Sequence, residues 1–552
     1  MEQNNETSLQ NRVFVRNGKR PFALLVVACF AIALTAEGLC AAPIDVGNRL
    51  QVLWDDYLVD LPKTTAVLTP HQAEYVDTVM TFDKKWEGDN CNYKTLVEDV
   101  DEKGKLYRMY YLAWYSGNAK PGAPTYAPGR RVCCIESRDG VHWTRPSLGI
   151  CSFEGSRDNN IIADADTIGI GGKPVELWDC FIVAKDPRPD CPPAERYKAT
   201  GLTLQRDKKT GRWIVPGLAC WISSDGLHFT YGWKHEGLTG IIGDSMNVTF
   251  WDPKRKIWHF YGRGSHKATG DMDREGLDGV RDVRYSWSKD CRKWEIVPKR
   301  LDFGPDAEDY GLYTNQIEPY FRNPDILIGF PSRYVERLKW NDSFERLCGV
   351  EARRARGGKD HACRLGRAIT DCIFMFSRDG GAKFTRCDEA FMRPGPEYGR
   401  NWVYGSCYPA YHVVLSPGRR GDAPVLTWYT EVGHFSGAAA ELDRYCLRMD
   451  GFFSYRAKYG RAHPSTLVTK PIVFSGDTFT MNFSTSARGG VYVTIRGEDG
   501  RSIRSCEQFG DSTDRVVDFQ GGRVADFAGK PVTIRFDMSD ADIYSFRFGN
   551  GK

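Results

Sequence analysis

The sequence predicts an all-β chain, a five-bladed β-propeller followed by a small antiparallel β-sandwich. Three observations lead there. A hairpin motif recurs four times: Ser137-Arg138-Asp139-Gly140-Val141-His142-Trp143-Thr144, Ser223-Ser224-Asp225-Gly226-Leu227-His228-Phe229-Thr230, Ser286-Trp287-Ser288-Lys289-Asp290-Cys291-Arg292-Lys293-Trp294 and Ser377-Arg378-Asp379-Gly380-Gly381-Ala382-Lys383-Phe384-Thr385. Short β-branched or aromatic runs bounded by Gly, Pro, Asn or Asp fill most of the remaining chain, the pattern of many small strands. After Gly460 the residues alternate between apolar and polar, as in a half-buried antiparallel sheet.

The hairpin motif has a physical reading. Asp bonds the backbone two residues on, Gly accepts positive φ, and the following aromatic packs on a neighbouring sheet. The four aspartates stand 65 to 89 residues apart, the length of a repeated four-stranded unit such as a propeller blade. His142 and His228 belong to the motif and read as structural. A fifth unit, from about Arg393 to Arg456, lacks the motif. Closed propellers often complete the last blade with an N-terminal strand, and Leu53 to Val59 is the expected donor, which removes an exposed edge.

Taken in order, the chain begins with a polar stretch carrying Arg12, Arg16, Lys19 and Arg20, then an apolar run from Phe22 to Ala36, then small residues up to Ala42. That is the layout of a secretory leader, and the run is shorter than the roughly 20 residues a membrane span needs. The expected domains are therefore a leader at 1–42, a propeller at 43–460 and a sandwich at 461–552. A secreted or periplasmic protein with no membrane contact after cleavage follows. Strands are expected at Leu106 to Trp114, Val248 to Phe250, Lys256 to Tyr261, Ile326 to Phe330 and Val425 to Tyr429. Helix is expected only in fragments such as Ala438 to Leu442.

Composition narrows the function. A net charge of +4 over 552 residues gives no electrostatic case for nucleic acid. Aromatic residues at 13 % suit both small β cores and sugar-binding clefts. Setting aside Cys29 and Cys40 in the leader, an odd number of cysteines remains, with no Cys-x-x-Cys pair and no zinc-ligand spacing. Some of these are expected to pair in an oxidising compartment. No cofactor is expected, and no motif calls for a metal, a structural Ca²⁺ at the propeller axis included.

The inner strand of a blade starts near the central axis, so the polar residues just before it face the shared cavity. Those positions supply the candidates. Asp89 with Glu87 beside it, Asp179 and Asp244 precede the first three inner strands, and Glu318 stands at the fourth as an alternative acid. Asp56, Asn247, Asn315, Arg333, Trp402 and Tyr404 are the expected substrate contacts. For each a bland role competes: turn capping for Asp56 and Asp244, a salt bridge for Arg333, packing between blades for Trp402 and Tyr404.

Leu53-Trp54-Asp55-Asp56-Tyr57-Leu58, Trp86-Glu87-Gly88-Asp89, Asp244-Ser245-Met246-Asn247, Leu312-Tyr313-Thr314-Asn315-Gln316, Gly329-Phe330-Pro331-Ser332-Arg333-Tyr334 and Asp540-Ala541-Asp542-Ile543-Tyr544-Ser545-Phe546 form one set. Together these stretches resemble a group of secreted bacterial proteins similar to glycoside hydrolase families 32 and 43. The resemblance implies a funnel with three acidic residues, one from each of the first three blades, acting as nucleophile or base, transition-state stabiliser and general acid. Asp179 would be the stabiliser. The Asn-Asp-Pro-Asn or Asp-Pro of well-studied members is absent at the first site. The expected activity is hydrolysis of a glycan, with furanoside and acidic-sugar linkages as the two candidates. A non-catalytic carbohydrate-binding propeller and a sialidase-like hydrolase, with an arginine cluster and a tyrosine nucleophile, are the alternatives.

Overall fold

Five small antiparallel sheets follow one another along the chain, each ordered from an inner to an outer strand. The structure, a computed structural model, describes residues 42–552 apart from 116–128, 171–172, 175, 207–212, 268–278, 296, 338, 358–363, 419–422, 434–438, 461 and 551–552. The leader expected at residues 1–42 falls, Ala42 aside, outside these residues.

The inner strands are Asn90–Asp101 in blade 1, Glu176–Lys185 in blade 2, Val248–Asp252 in blade 3, Glu318–Tyr320 in blade 4 and Val414–Ser416 in blade 5. The propeller closes as expected in kind but not in place. The outer strand of blade 5 is Glu74–Phe82, which pairs antiparallel with Ala440–Leu447. Leu53 to Val59 is not a strand. Its apolar side chains are split between two cores, Leu53, Leu58 and Val59 in the C-terminal unit and Trp54 among the aromatics of blades 4 and 5, so the segment wedges the two together. Of the helical fragment expected at Ala438 to Leu442, Ala438 lies outside the described residues and Ala440 to Leu442 open the strand Ala440–Leu447 instead, since Leu442 and Tyr445 are needed on buried sheet faces. The helices lie within blade 4, at Asp342–Arg346, Val350–Gly357 and Arg364–Arg367.

The repeated hairpins form as their chemistry dictates. In the first, Ser137 Oγ accepts from Gly140 N at 2.9 Å, and Asp139 Oδ1 accepts from Val141 N and His142 N at 2.8 and 2.9 Å. The other three repeat this pattern through Ser223 and Asp225, Ser288 and Asp290, and Ser377 and Asp379. His142 and His228 cap their own aspartates. Each hairpin also seats against the preceding blade. A Cβ on Gly226 would lie 2.8 Å from the Tyr110 hydroxyl of blade 1, and one on Gly381 would lie 2.4 Å from the Tyr261 hydroxyl of blade 3. Cys291 takes the glycine position of the third copy at φ +64°.

Beyond blade 5 the chain builds one continuous eleven-stranded sheet around its own apolar core. Its spine is the pairing of Thr478–Gly497 with Val532–Gly549. The sheet reaches back across residue 460 to recruit Ile44–Gly47, Gln51–Val52, Val67–Pro70 and Phe453–Ala457. The buried Asp450 carboxylate fixes the junction, accepting from Tyr320 and Arg322 of blade 4 and from Ser545 of the sheet at 2.6 Å. The described cysteines from Cys133 to Cys506 form no disulfide with one another, and most of them are buried; the pairing expected of an oxidising compartment is not seen among them.

Candidate active site

Each blade passes the chain to its inner strand through a lead-in segment, and hydrogen bonds tie these segments to one another around the axis. Asn247 Nδ2 donates to Gly243 O at 2.8 Å, to Ser245 O at 3.0 Å and to Cys180 Sγ of blade 2 at 3.1 Å. Ser245 Oγ donates to Tyr313 O at 2.7 Å, and Asn315 Nδ2 returns a bond to Met246 O at 3.0 Å, joining blades 3 and 4. Gln316 Nε2 donates to Pro409 O at 2.7 Å, and Tyr411 N to Lys94 O at 2.8 Å, carrying the ring through blade 5 to blade 1. Asn247 and Asn315 thus commit their amide N–H groups to the scaffold.

The lead-in end is also where the backbone departs from regular geometry. Ten described non-glycine residues have positive φ, and five of them (Tyr93, Gln316, Trp402, Cys407 and His412) lie in or beside lead-in segments. Such conformations cost about 1–3 kcal/mol each and gather at working sites. Two inner strands bulge there as well. Tyr93 and Lys94 interrupt the register between Asn92 and Thr95 in blade 1, and Trp178 to Cys180 interrupt it between Leu177 and Phe181 in blade 2. Bulges re-aim side chains beside functional sites.

At the centre stands a cluster of tyrosines with an arginine. Tyr93 of blade 1 stacks on Tyr408 of blade 5 with centroids 6.3 Å apart, and Tyr408 stacks on Tyr313 of blade 4 at 5.6 Å. The Tyr313 and Tyr404 hydroxyls are 2.5 Å apart. Arg263, from the second strand of blade 3 (Ile257–His266), lies 4.5 Å from the Tyr313 centroid and pairs with Asp244. Burial works against the Arg263 charge, but Tyr313, Asp244 and Tyr93 outweigh it and raise its pKa above the ordinary arginine value. Its Nε and Nη1 are buried and meet no acceptor among the described residues. The Asp244 side chain keeps 28 % of its surface open. Arg281 lies nearby, 5.3 Å from the centroid of Tyr334.

Asp89 is held in place by its own motif. Glu87 is the anchor, accepting both Nε and Nη2 of Arg145 at 2.9 Å, the Tyr111 hydroxyl at 2.6 Å and Lys84 N at 2.9 Å. Gly88 sits at φ +85°, where a Cβ would lie 2.1 Å from Trp114 O. Asp89 follows, fully buried, accepting from Asn90 Nδ2 at 2.9 Å. Glu318 has both oxygens engaged, by His412 Nδ1 at 2.5 Å and by Val413 N at 2.8 Å. Burial alone would lower the His412 pKa, but Glu318 more than offsets it and raises the pKa. Glu318 therefore holds the strained His412 and pins blade 4 to blade 5. Asp179 lies in the blade 2 bulge, and its side chain falls outside the described residues.

The remaining expected contacts lie elsewhere. Asp56 is exposed, and its neighbour Asp55 pairs with Arg378 of the blade 4 hairpin. That hairpin follows a strand running parallel to the inner strand, so it lies at the opposite end of the propeller from the lead-in segments. Arg333 forms a bidentate pair with Asp371, its cross-strand partner within blade 4, at 2.9 and 2.6 Å. Trp402 donates from Nε1 to Gly395 O at 2.8 Å, bracing its own loop. Tyr404 alone of the six joins the tyrosine cluster. Sequence reasoning missed Arg263, although its setting between Gly262 and Gly264 is a readable signal. A Cβ at either glycine would strike Phe260 or Arg284, at 2.6 and 2.0 Å, so both are needed for the close packing. Among the described residues no group of three or more His, Cys, Asp or Glu is placed to hold a metal ion.

No family model matches the chain, and no curated protein does either. Among solved structures it is similar to a GH32 β-fructofuranosidase of Bombyx mori, at 10 % identity over 88 % of this chain and 95 % of that one, with a TM-score of 0.33. It is similar to an exo-inulinase of Aspergillus awamori, at 11 % identity over 87 % and 99 %, with a TM-score of 0.34. A third neighbour comes from work on the GH130 family of mannoside phosphorylases and the glycoside hydrolases within it, at 11 % identity over 71 % and 96 %, with a TM-score of 0.35. Likeness this faint says nothing about substrate or reaction.

Proposed function

We propose that the protein hydrolyses a glycan bearing an acidic sugar, with Asp244 and Asp89 at the lead-in end of the propeller as its working carboxylates. The observation that carries this reading is the Asp244–Arg263 pair. Asp244 is a carboxylate with open surface, and Arg263 beside it is a buried guanidinium whose Nε and Nη1 have no described acceptor. Glycoside hydrolysis asks for two carboxyl groups about the scissile bond, and Asp89 stands just before the inner strand of blade 1, at the same end of the propeller as Asp244. A buried donor without a partner is costly. A planar guanidinium fits a carboxylate, which favours an acidic sugar over a neutral furanoside. Export through the leader at 1–42 belongs to the same proposal, because a polymeric glycan is met outside the cell membrane.

One observation favours a second, sialidase-like route. The Tyr313 and Tyr404 hydroxyls share a 2.5 Å contact, with Arg263 over the Tyr313 ring, the kind of setting a tyrosine nucleophile needs. Digestion of a plant, algal and host glycan panel by the purified protein tests both, with released sugars identified by mass spectrometry. Release of oligosaccharides carrying a uronic acid supports the first reading, and loss of release in Tyr404→Phe but not Asp244→Asn supports the second. Binding without release from any glycan assigns the protein to the carbohydrate-binding class.

A further inference from the structure

A cleft opens on blade 5, beside the loop that leads into its inner strand. Its volume is about 440 Å³, inside the roughly 300–1,000 Å³ range of small-molecule sites. Its walls include Tyr75 and Tyr398, whose surfaces stay 48 % and 41 % exposed although both rings border a concavity. On its floor Glu441 and Asp443 stand two apart on the strand Ala440–Leu447 and so on one face of it. Thr430, from the neighbouring strand Val425–Val432, lines the same floor; it is 1 % exposed, and its Oγ1 has no hydrogen-bond partner in the described structure.

We propose that this cleft is a secondary carbohydrate-binding site taking one neutral pyranose unit, with Tyr75 and Tyr398 on the sugar's C–H faces and Thr430, Glu441 and Asp443 on its hydroxyls. The chemistry is mixed in the way a sugar is mixed. Aromatic walls suit the apolar faces of a pyranose ring, and carboxylates with a hydroxyl suit its equatorial groups. A purely apolar ligand would leave Thr430 Oγ1 without a partner and strip water from the two carboxylates. An anion is disfavoured by the two acidic groups. Arg400 balances Glu441 at 2.7 Å, while Asp443 receives only the Thr78 hydroxyl at 2.6 Å and has no described ion-pair partner. Burial raises the Asp443 pKa to about 6, so near neutral pH it is an acceptor able to take a sugar hydroxyl. Asp89, Asp244 and Arg263 are not among the residues that line the cleft, and the site does not depend on the hydrolysis reading. It would hold a glycan chain on blade 5 while another part is worked on or bound at the axis.

Isothermal titration with cellotetraose, mannotetraose, xylotetraose and maltotetraose tests it, using the full protein carrying Asp244→Asn to suppress turnover. The expected result is binding of at least one tetrasaccharide that weakens tenfold or more in Tyr398→Ala and severalfold in Thr430→Val, and persists in Arg263→Lys. Circular dichroism and the thermal midpoint of each variant confirm folding. Binding unchanged by Tyr398→Ala, binding lost with Arg263→Lys alone, or no binding of any of the four overturns the proposal. So does Ca²⁺ binding, in the same titration, that disappears in Asp443→Asn and excludes the sugar.

Discussion

Arg263 of blade 3 pairs with Asp244 and sets its guanidinium 4.5 Å from the centroid of Tyr313 in blade 4. One side chain thus links a carboxylate to an aromatic platform across a blade boundary, with N–H groups to spare. If those groups receive an acidic sugar, Arg263→Lys keeps the charge but loses the planar fork. The expected outcome is a fall of about 10- to 100-fold in kcat/KM on uronic-acid-containing glycans, the worth of hydrogen bonds to charged groups. Any neutral glycan that is cleaved should be affected much less. Equal losses on both would show Arg263 to be merely structural.

The hairpins predict a graded glycine series. Gly226 has φ +76°, and its Cβ would strike the Tyr110 hydroxyl and the Tyr197 ring, at 2.8 and 3.1 Å. Gly149 has φ +68° with nothing within 4 Å. Gly149→Ala should cost about 1 kcal/mol from backbone conformation alone. Gly226→Ala should cost about 1–3 kcal/mol more, because packed tyrosines must move. Denaturant midpoints of the two variants give the difference.

Blade 1 and blade 5 are joined by a buried ion pair, Lys94 Nζ to Glu431 Oε2 at 2.8 Å, with side chains 2 % and 3 % exposed. Removing one partner strands a buried charge, so Lys94→Met or Glu431→Met should each destabilise by about 3–5 kcal/mol. The double variant should recover most of that loss. A double variant as unstable as the sum of the two would contradict the pairing.

Asp443 predicts a pH dependence. Burial, with Glu441 and Asp77 adding to it and Thr78 and Arg400 opposing, raises its pKa from 3.8 to about 6. The folded state therefore holds this proton more tightly than the unfolded state. Stability contributed by the group is present below about pH 4 and is lost as pH rises to about 6, on the order of 1–3 kcal/mol. Asp443→Asn should flatten that slope and leave the variant more stable than the parent at pH 7. Chemical denaturation between pH 4 and 8 measures both.

Much of the architecture was legible because it rests on local chemistry. Ser137, Asp139 and Gly140 bond one another within four residues, so the hairpins could be read without knowing the fold. The alternation after Gly460 showed the C-terminal strands for the same reason. What failed depended on distant partners. Leu53 to Val59 has a strand's composition, yet its side chains are claimed by two cores, and Glu74–Phe82 closes the propeller instead. Asp89, Asp244 and Tyr404 do lie in the lead-in segments, as counting from the hairpins placed them. Roles within them were not readable. Asn247, Asn315, Glu318 and Arg333 are the right residue types for a sugar site, but each is engaged by a partner dozens of residues away. Arg263 comes from a second strand, where counting from the hairpins did not look.

The central claim is that Asp244 and Asp89 work on a glycosidic bond. The most direct test is kcat/KM for Asp244→Asn and Asp89→Asn beside the parent protein, on whichever glycan the parent cleaves, with folding verified by circular dichroism. The account predicts that each substitution lowers kcat/KM by about 10²–10⁴-fold while the fold is kept. Full activity in both folded variants would contradict it and move the chemistry away from these carboxylates.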